Sequence, residues 1–269
     1  HLSTMGDPSE KIKVAKIVKY LMRLSDRISF NLADYILTFS ISIADEICKI
    51  QKIKFSSKKF YYSEVIDTNL FKPKIKIESN LKQSMNLESK FVLFYHGKFH
   101  PFHGMEYFFE AFKKLYKLNN KVRLIVLSFP SGMEKVMLSK DISSHPGMIF
   151  LPPVKYERLA DILQIADLWV GRFKYDIEGD TAFSTCGVEA MACGKPIITY
   201  DNFENSRVIK DGVNGLLVPG EDVSAIVNKI KPFLNENGKK KLEMMGLVAR
   251  KTVFKEFSNK KLLKWIENN

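Results

Sequence analysis

From residue 91 onward, short apolar runs alternate with longer stretches of helical period. FVLFYHG (91–97), VRLIVLS (122–128), MIFLPPV (148–154), DLWVGRF (167–173), PIITYD (196–201) and NGLLVPG (214–220) read as strands. A near-continuous apolar run of this length marks a strand buried on both faces. MEYFFEAFKKLYKL (105–118), a stretch near 131–140, YERLADILQIA (156–166), TCGVEAMAC (185–193) and VSAIVNKIKPFL (223–234) read as helices, and EFSNKKLLKWIENN (256–269) as a final one. The alternation predicts βαβ units, an α/β fold and a doubly wound parallel sheet. In such sheets ligands bind outside the carboxyl ends of the strands, so the loops after residues 97, 128, 154 and 173 matter most.

The first part of the chain is less regular. Within residues 11–32, Val14, Ile17, Val18, Leu21, Leu24, Ile28 and Leu32 follow a helical stripe, with Lys16, Lys19, Arg23 and Arg27 on another face. Two readings of this basic amphipathic helix stay open: packing on a core, or lying on an anionic membrane surface. YILTFS (35–40) reads as a strand and ISIADEICKIQ (41–51) as a helix with Ser40 at its N-cap. Residues 58–73 are aromatic and extended, ending at Pro73. Residues 74–90 are polar and without clear period, so they read as a linker. The expected domains are a partial N-terminal region and linker (1–80), a Rossmann-like domain (81–255) and a C-terminal helix (256–269).

Composition narrows the class. The 269 residues are 45% hydrophobic, enough for a sizeable core. No apolar run approaches the roughly 18 residues of a membrane span, and the opening residues lack the apolar stretch of a secretory signal. Three cysteines, Cys48, Cys186 and Cys193, without repeated spacing argue against a disulfide framework or zinc site. A cytoplasmic protein is expected. The net charge of +12 points to an anionic partner. No basic–aromatic module of the nucleic-acid binders is present, so nucleic acid is not the expected partner.

Two segments can carry chemistry. GKFHPFHG (97–104) joins the strand at 91–97 to its helix. Its glycines flank a basic turn at a helix N-terminus, where free N–H groups and the dipole attract phosphate; Lys98 and His103 add donors. His96, His100 and His103 do not follow a helix or finger spacing for metal, and none is expected; His96 reads as a structural strand-end residue. The second segment is TAFSTCGVEAMACGKPII (181–198), where a helix starts near Ser184 and Thr185. Glu189 lies one turn into it, where a carboxylate can accept from a pair of sugar hydroxyls, or stand on an exposed face of an ordinary helix-to-strand junction. Gly194 and Pro196 end the helix.

EAMACGKPII followed by DGVNGLLVPGED (211–222) resembles the C-terminal half of the GT-B glycosyltransferases, in particular the large retaining family called GT4. ADYILTFSISIADEI (33–47), VIDTNLFKP (65–73), FVLFYHGKFHPFHGMEYFFEAF (91–112) and MIFLPPVKYERLADILQIADLWV (148–170) resemble further segments of that family in the same order. The resemblance implies a donor diphosphate site at Gly97, Lys98, His103 and Gly104, with Lys98 and His103 where the family carries Arg and Lys. It implies base binding near Pro153 and Val154. It places Phe183, Ser184 and Thr185 on the backbone facing the sugar and phosphates, and makes Glu189 the ribose-contacting second Glu of a Glu-x7-Glu motif. Thr181 occupies the first Glu position, with Asp180 and Glu178 beside it.

The implied activity is retaining transfer of a sugar from a nucleotide-diphosphate sugar to an acceptor, without a metal or other cofactor. A lipid-linked or surface-polysaccharide acceptor, with a peripheral position at the inner membrane face, fits the basic helix. The alternative is a non-catalytic nucleotide-sugar-binding or scaffold subunit. About 90 residues precede the C-terminal domain, so a partner supplying a full N-terminal domain is also expected.

Overall fold

The computed structural model describes residues 8–52, 54, 60–62, 64–99, 103–128, 144–175 and 182–268. The helical stretch expected near 131–140 lies outside them. The chain divides into two units, residues 1–63 with 268–269, and residues 64–267.

The first unit holds helix α1 (Pro8–Leu32), strand β1 (Ile36–Thr38), helix α2 (Ile41–Gln51) and strand β2 (Phe60–Tyr62). The two strands pair in parallel, with Ile36 opposite Phe60. Ile36, Ala44, Cys48 and Phe60 form its small core. The Ser40 side chain caps α2 by accepting from the Ile43 N–H at 3.1 Å. On the other face of β1, Leu37 and Phe39 are 59% and 62% exposed. Along α1, Leu21, Leu24, Ile28 and Leu32 are exposed as well.

The second unit begins with helix α3 (Ile75–Ser84), then strand β3 (Phe91–His96), helix α4 (Met105–Leu118) and strands β4 (Val122–Leu127) and β5 (Met148–Leu151). Helix α5 (Tyr156–Ile162) runs through a short 3-10 turn to strand β6 (Leu168–Val170). Helix α6 (Thr185–Ala192), strand β7 (Ile197–Tyr200), helix α7 (Phe203–Val208) and strand β8 (Leu216–Val218) follow. Helices α8 (Val223–Ile230), α9 (Glu236–Glu256) and α10 (Asn259–Glu267) complete it. The strands form one parallel sheet in the order β5-β4-β3-β6-β7-β8. All six residues of β3 are buried. Val92 and Phe94 face one apolar cluster, and Phe91, Leu93 and Tyr95 face another, so both faces of the sheet are covered. The sheet is therefore the doubly wound α/β fold that the alternation of runs predicts. Among the described residues, no helix is long and apolar enough to cross a membrane.

Three differences from the pattern reading stand out. The division between units falls at residues 63 and 64 rather than near 80. The stretch taken as a linker contains α3, bound to the second unit through Lys74–Asp161 (2.7 Å), Lys82–Asp167 (3.0 Å) and Lys195–Glu78 (3.0 Å). Its charges look solvent-directed along the chain because their partners lie far away in sequence. In helix α9, exposed Met244, Leu247, Val248 and Phe254 blur the stripe of Leu242, Met245, Ala249 and Val253 that it buries, and the last helix starts at Asn259 after α9 ends at Glu256.

Candidate functional site

The sheet reverses direction of growth between β3 and β6. The register there is Leu93 against Leu168 and Phe94 against Trp169. At the carboxyl ends of these two strands lies a cavity of about 140 Å³. The end of β3 and its loop line it with Tyr95, His96, Gly97, Lys98 and His103; β6 and the residues after it add Trp169, Gly171 and Arg172; the start of α6 adds Ser184, Thr185 and Cys186. Two larger hollows, of about 510 and 540 Å³, border α9. The first is lined mainly by apolar side chains, and the second holds the paired charges that dock α3. The smaller cavity sits at the topological switch point, the position where this sheet class binds ligands.

Backbone shape sets the loop. Gly97 has φ of +126° and Gly104 has φ of +62°, both in the region that favours glycine. A Cβ at Gly104 would also run into the backbone of Phe173 and Lys174. The Tyr95 hydroxyl donates to the Lys98 carbonyl at 2.8 Å and contacts His103 Nδ1 at 3.2 Å. A hydroxyl has one proton, so with that proton on the carbonyl its oxygen accepts from Nδ1–H. Tyr95 thus straps both ends of the loop together, and His103 lines the cavity. The Ser128 hydroxyl donates to the Gly97 carbonyl at 2.7 Å.

The opposite wall is the N-terminus of α6. Ser184 caps it by accepting from the Gly187 N–H. The early N–H groups and the helix dipole favour an anion here. Thr185 Oγ1 donates to Glu64 at 2.9 Å. Burial raises the Glu64 pKa and Glu189 adds to it, against the lowering effect of the Thr185 bond.

Behind the cavity, Glu189 is 5% exposed and His96 4%. His96 Nε2 lies 2.8 Å from Glu189 Oε2, and the Trp169 indole N–H donates to His96 Nδ1 at 2.9 Å. The indole is a donor only, so Nδ1 is an acceptor and the ring proton sits on Nε2, donating to Glu189. Burial disfavours the charged imidazole, while Cys186 and Glu189 pull the other way. A second proton would have to enter on Nδ1, against the Trp169 donor, so the geometry holds the ring in the neutral Nε2–H form. Burial, then the Glu189 carboxylate, raises the Tyr156 pKa. Ligand atoms of His96, Cys186 and Glu189 lie within 4.8 Å of one another, a spacing that suits a metal. The tautomer opposes one: Nε2 carries the proton and has no lone pair to offer.

The structure brings Gly97, Lys98, His103, Ser184 and Thr185 together around one cavity. Gly104 is buried at the N-cap of α4. The Phe183 ring lies in the core, stacked on Phe257 at 5.8 Å, which leaves only its backbone available to a ligand. Glu189 stands behind the cavity, and Pro153 and Val154 lie in the loop between β5 and α5. Thr181, Asp180, Glu178 and His100 lie outside the described residues. Arg172, Tyr156 and Glu64 escape sequence reading, and His96 takes a larger part than a strand-end residue. Arg172 was detectable as a cation at the carboxyl end of a central strand. The other partnerships depend on tertiary contacts.

A doubly wound parallel sheet with a cationic, helix-capped cavity at its switch point defines a Rossmann-like domain. Residues 76–252 match the family described as Glycosyl transferases group 1, and the chain belongs to that family. It is 27% identical over 190 residues to a D-inositol 3-phosphate glycosyltransferase of Mycobacterium marinum, covering 68% of this chain and 39% of that protein. It is 27% identical over 191 residues to a lipopolysaccharide 1,2-N-acetylglucosaminetransferase of Salmonella typhimurium, covering 67% and 48%. The chain therefore spans less than half the length of either relative. Among solved structures, it resembles Anabaena HepE in complex with UDP and glucose, with a TM-score of 0.70 and 17% identity over 92% of this chain and 67% of that one. It also resembles the C-terminal domain of the Francisella tularensis group 1 glycosyl transferase LpcC, with a TM-score of 0.61 and 17% identity over 72% of this chain and 99% of that one. The shared fold is GT-B.

Proposed function

We propose that this chain binds a nucleotide-diphosphate sugar and takes part in moving the sugar to an acceptor with retention, as in the GT4 group. One observation carries the reading: Lys98, His103, Arg172 and the capped N-terminus of α6 converge on a single cavity, with Glu189 directly behind it. Charge grows on the leaving diphosphate as the glycosidic bond breaks. The two permanent cations, a protonated His103 and the helix N–H groups would stabilise that charge. By analogy with oxyanion donors, each such group contributes about 2–4 kcal/mol to lowering the barrier. This array takes the role that a divalent ion plays in metal-dependent transferases, so no metal is needed. Glu189 is the ribose contact, and the loop at Pro153 and Val154 borders the base. The proposed acceptor is lipid-linked or a surface polysaccharide, reached at the inner face of a membrane from the cytoplasm, with a full first domain completing the cleft.

Calorimetry against UDP, GDP and their sugars tests the reading. Micromolar to millimolar binding that survives EDTA is expected; no binding to any of them overturns it. Thr181, at the position where a carboxylate is expected, favours a second reading, a non-catalytic nucleotide-sugar-binding or scaffold subunit. Binding without donor turnover, with a full first domain supplied, would select it.

A further inference from the structure

Glu189 is the most buried carboxylate beside the cavity, and its surroundings are built rather than incidental. His96 Nε2 meets its Oε2 at 2.8 Å, and Trp169 meets the far side of the same imidazole at 2.9 Å. The Trp169 and His96 rings also meet edge to face, with centroids 5.8 Å apart. Both come from strands, Trp169 from the middle of β6 and His96 from the end of β3, so rigid sheet backbone holds them. A histidine between two such groups has one consistent proton arrangement. Trp169 donates to Nδ1, so Nε2 keeps its proton and donates to the carboxylate. A carboxylate has about four acceptor positions. His96 occupies one of them, on Oε2, which fixes the orientation of the group.

We infer that Trp169 and His96 form a relay that orients the Glu189 carboxylate for a ribose diol, which makes His96 a positioning residue for donor recognition. The inference rests on the proposed donor site and adds how that site tells ribose from deoxyribose. The same protons that orient Glu189 leave no lone pair on Nε2 for a metal. Cys186 lies beside the pair, and the relay does not use it.

The test is the preference for UDP over 2′-deoxy-UDP, and for GDP over 2′-deoxy-GDP, measured by calorimetry on the full chain. His96→Leu removes the donor to Glu189. Trp169→Phe keeps an aromatic ring but removes the N–H that fixes the tautomer, together with part of the buried indole. His96→Gln retains an amide donor at a similar reach. The wild type is expected to prefer the ribonucleotide. His96→Leu is expected to lose about tenfold of that preference, the scale of one hydrogen bond to a charged group. Trp169→Phe should lose part of it, and His96→Gln should keep most of it. An unchanged preference in folded His96→Leu and Trp169→Phe overturns the inference and leaves the donor site standing. A wild type that binds nucleotides without ribose preference also overturns it. A wild type that binds none of the four removes the donor site, and the inference with it. If His96→Leu does not fold, Trp169→Phe and nitrogen NMR of the wild-type imidazole decide. Protonation at Nδ1 rather than Nε2 would refute the relay.

Discussion

At the scale of single residues, the cavity is an arrangement of cations whose charges are not equivalent. Lys98 and Arg172 are permanently charged, and Arg172 can add a bidentate fork that Lys98 lacks. His103 carries charge only when both ring nitrogens are protonated. Replacing Lys98 or Arg172 with alanine should weaken binding of a nucleoside diphosphate about 10- to 100-fold, the worth of a charge-assisted hydrogen bond. The corresponding nucleoside should be nearly unaffected, and titration of the pair separates the two cases. His103→Lys supplies a permanent charge at the same place and is expected to tighten diphosphate binding. Lys98 and His103 were legible from glycine spacing alone, because a turn before a helix limits where a phosphate can sit. Arg172 left a weaker signal, a cation at the carboxyl end of a strand, which stands out once that strand's central place in the sheet is known. The position of Glu189 was legible, but its engagement by His96 was not.

At the scale of elements, α3 and α9 support the site from outside. Lys82 and Lys195 hold the Glu78 pKa below its usual 4.5 despite the opposing effect of burial. The folded state therefore keeps this group ionised where the unfolded chain takes up a proton, and its contribution is lost as pH falls below about 4.5. Glu78→Gln should flatten that acid limb in denaturation measured as a function of pH. Near neutrality it should cost under about 1 kcal/mol, since the group is partly screened by solvent. Helix α9 makes closer contact. Arg250 donates to the carbonyls of Phe71 and Ala192, tying α9 to the end of α6. A Cβ at Gly246 would strike the Gly194 carbonyl oxygen in the turn that leaves α6. Alanine in a helix interior is normally favourable by about 1 kcal/mol, but overpacking against backbone costs about 1–3 kcal/mol. Gly246→Ala is therefore expected to lower the chemical-denaturation midpoint; an unchanged or higher midpoint would contradict this packing. The sheet and its order of elements were legible because buried parallel strands read as apolar runs. Helix α3 was obscured because ion pairs rather than an apolar stripe secure it, and α9 because exposed Met244, Leu247, Val248 and Phe254 mask the buried stripe of Leu242, Met245, Ala249 and Val253.

At the scale of the molecule, charge and uncovered apolar surface coincide in the first unit. Along α1, Leu21, Leu24, Ile28 and Leu32 are exposed on one face and Arg23 and Arg27 on another, in a chain of net charge +12. Such a helix binds an anionic interface through both terms. Sedimentation with phosphatidylglycerol vesicles should carry the protein down at low salt and release it at high salt. Leu24→Glu should abolish the effect, and equal binding to neutral vesicles would argue against it. The apolar face was legible from period alone; what covers it was not, since the period is the same for a core and a membrane. The meeting of β3 and β6 has a further consequence, for folding. Leu93 and Phe94 pair with residues more than seventy positions later, so loop closure makes that seam costly to form. The strands on either side can assemble through shorter-range pairings first. A ligand seated on the seam would then grip both halves at once. It would slow unfolding more than it hastens folding, and so lengthen the lifetime of the native sheet.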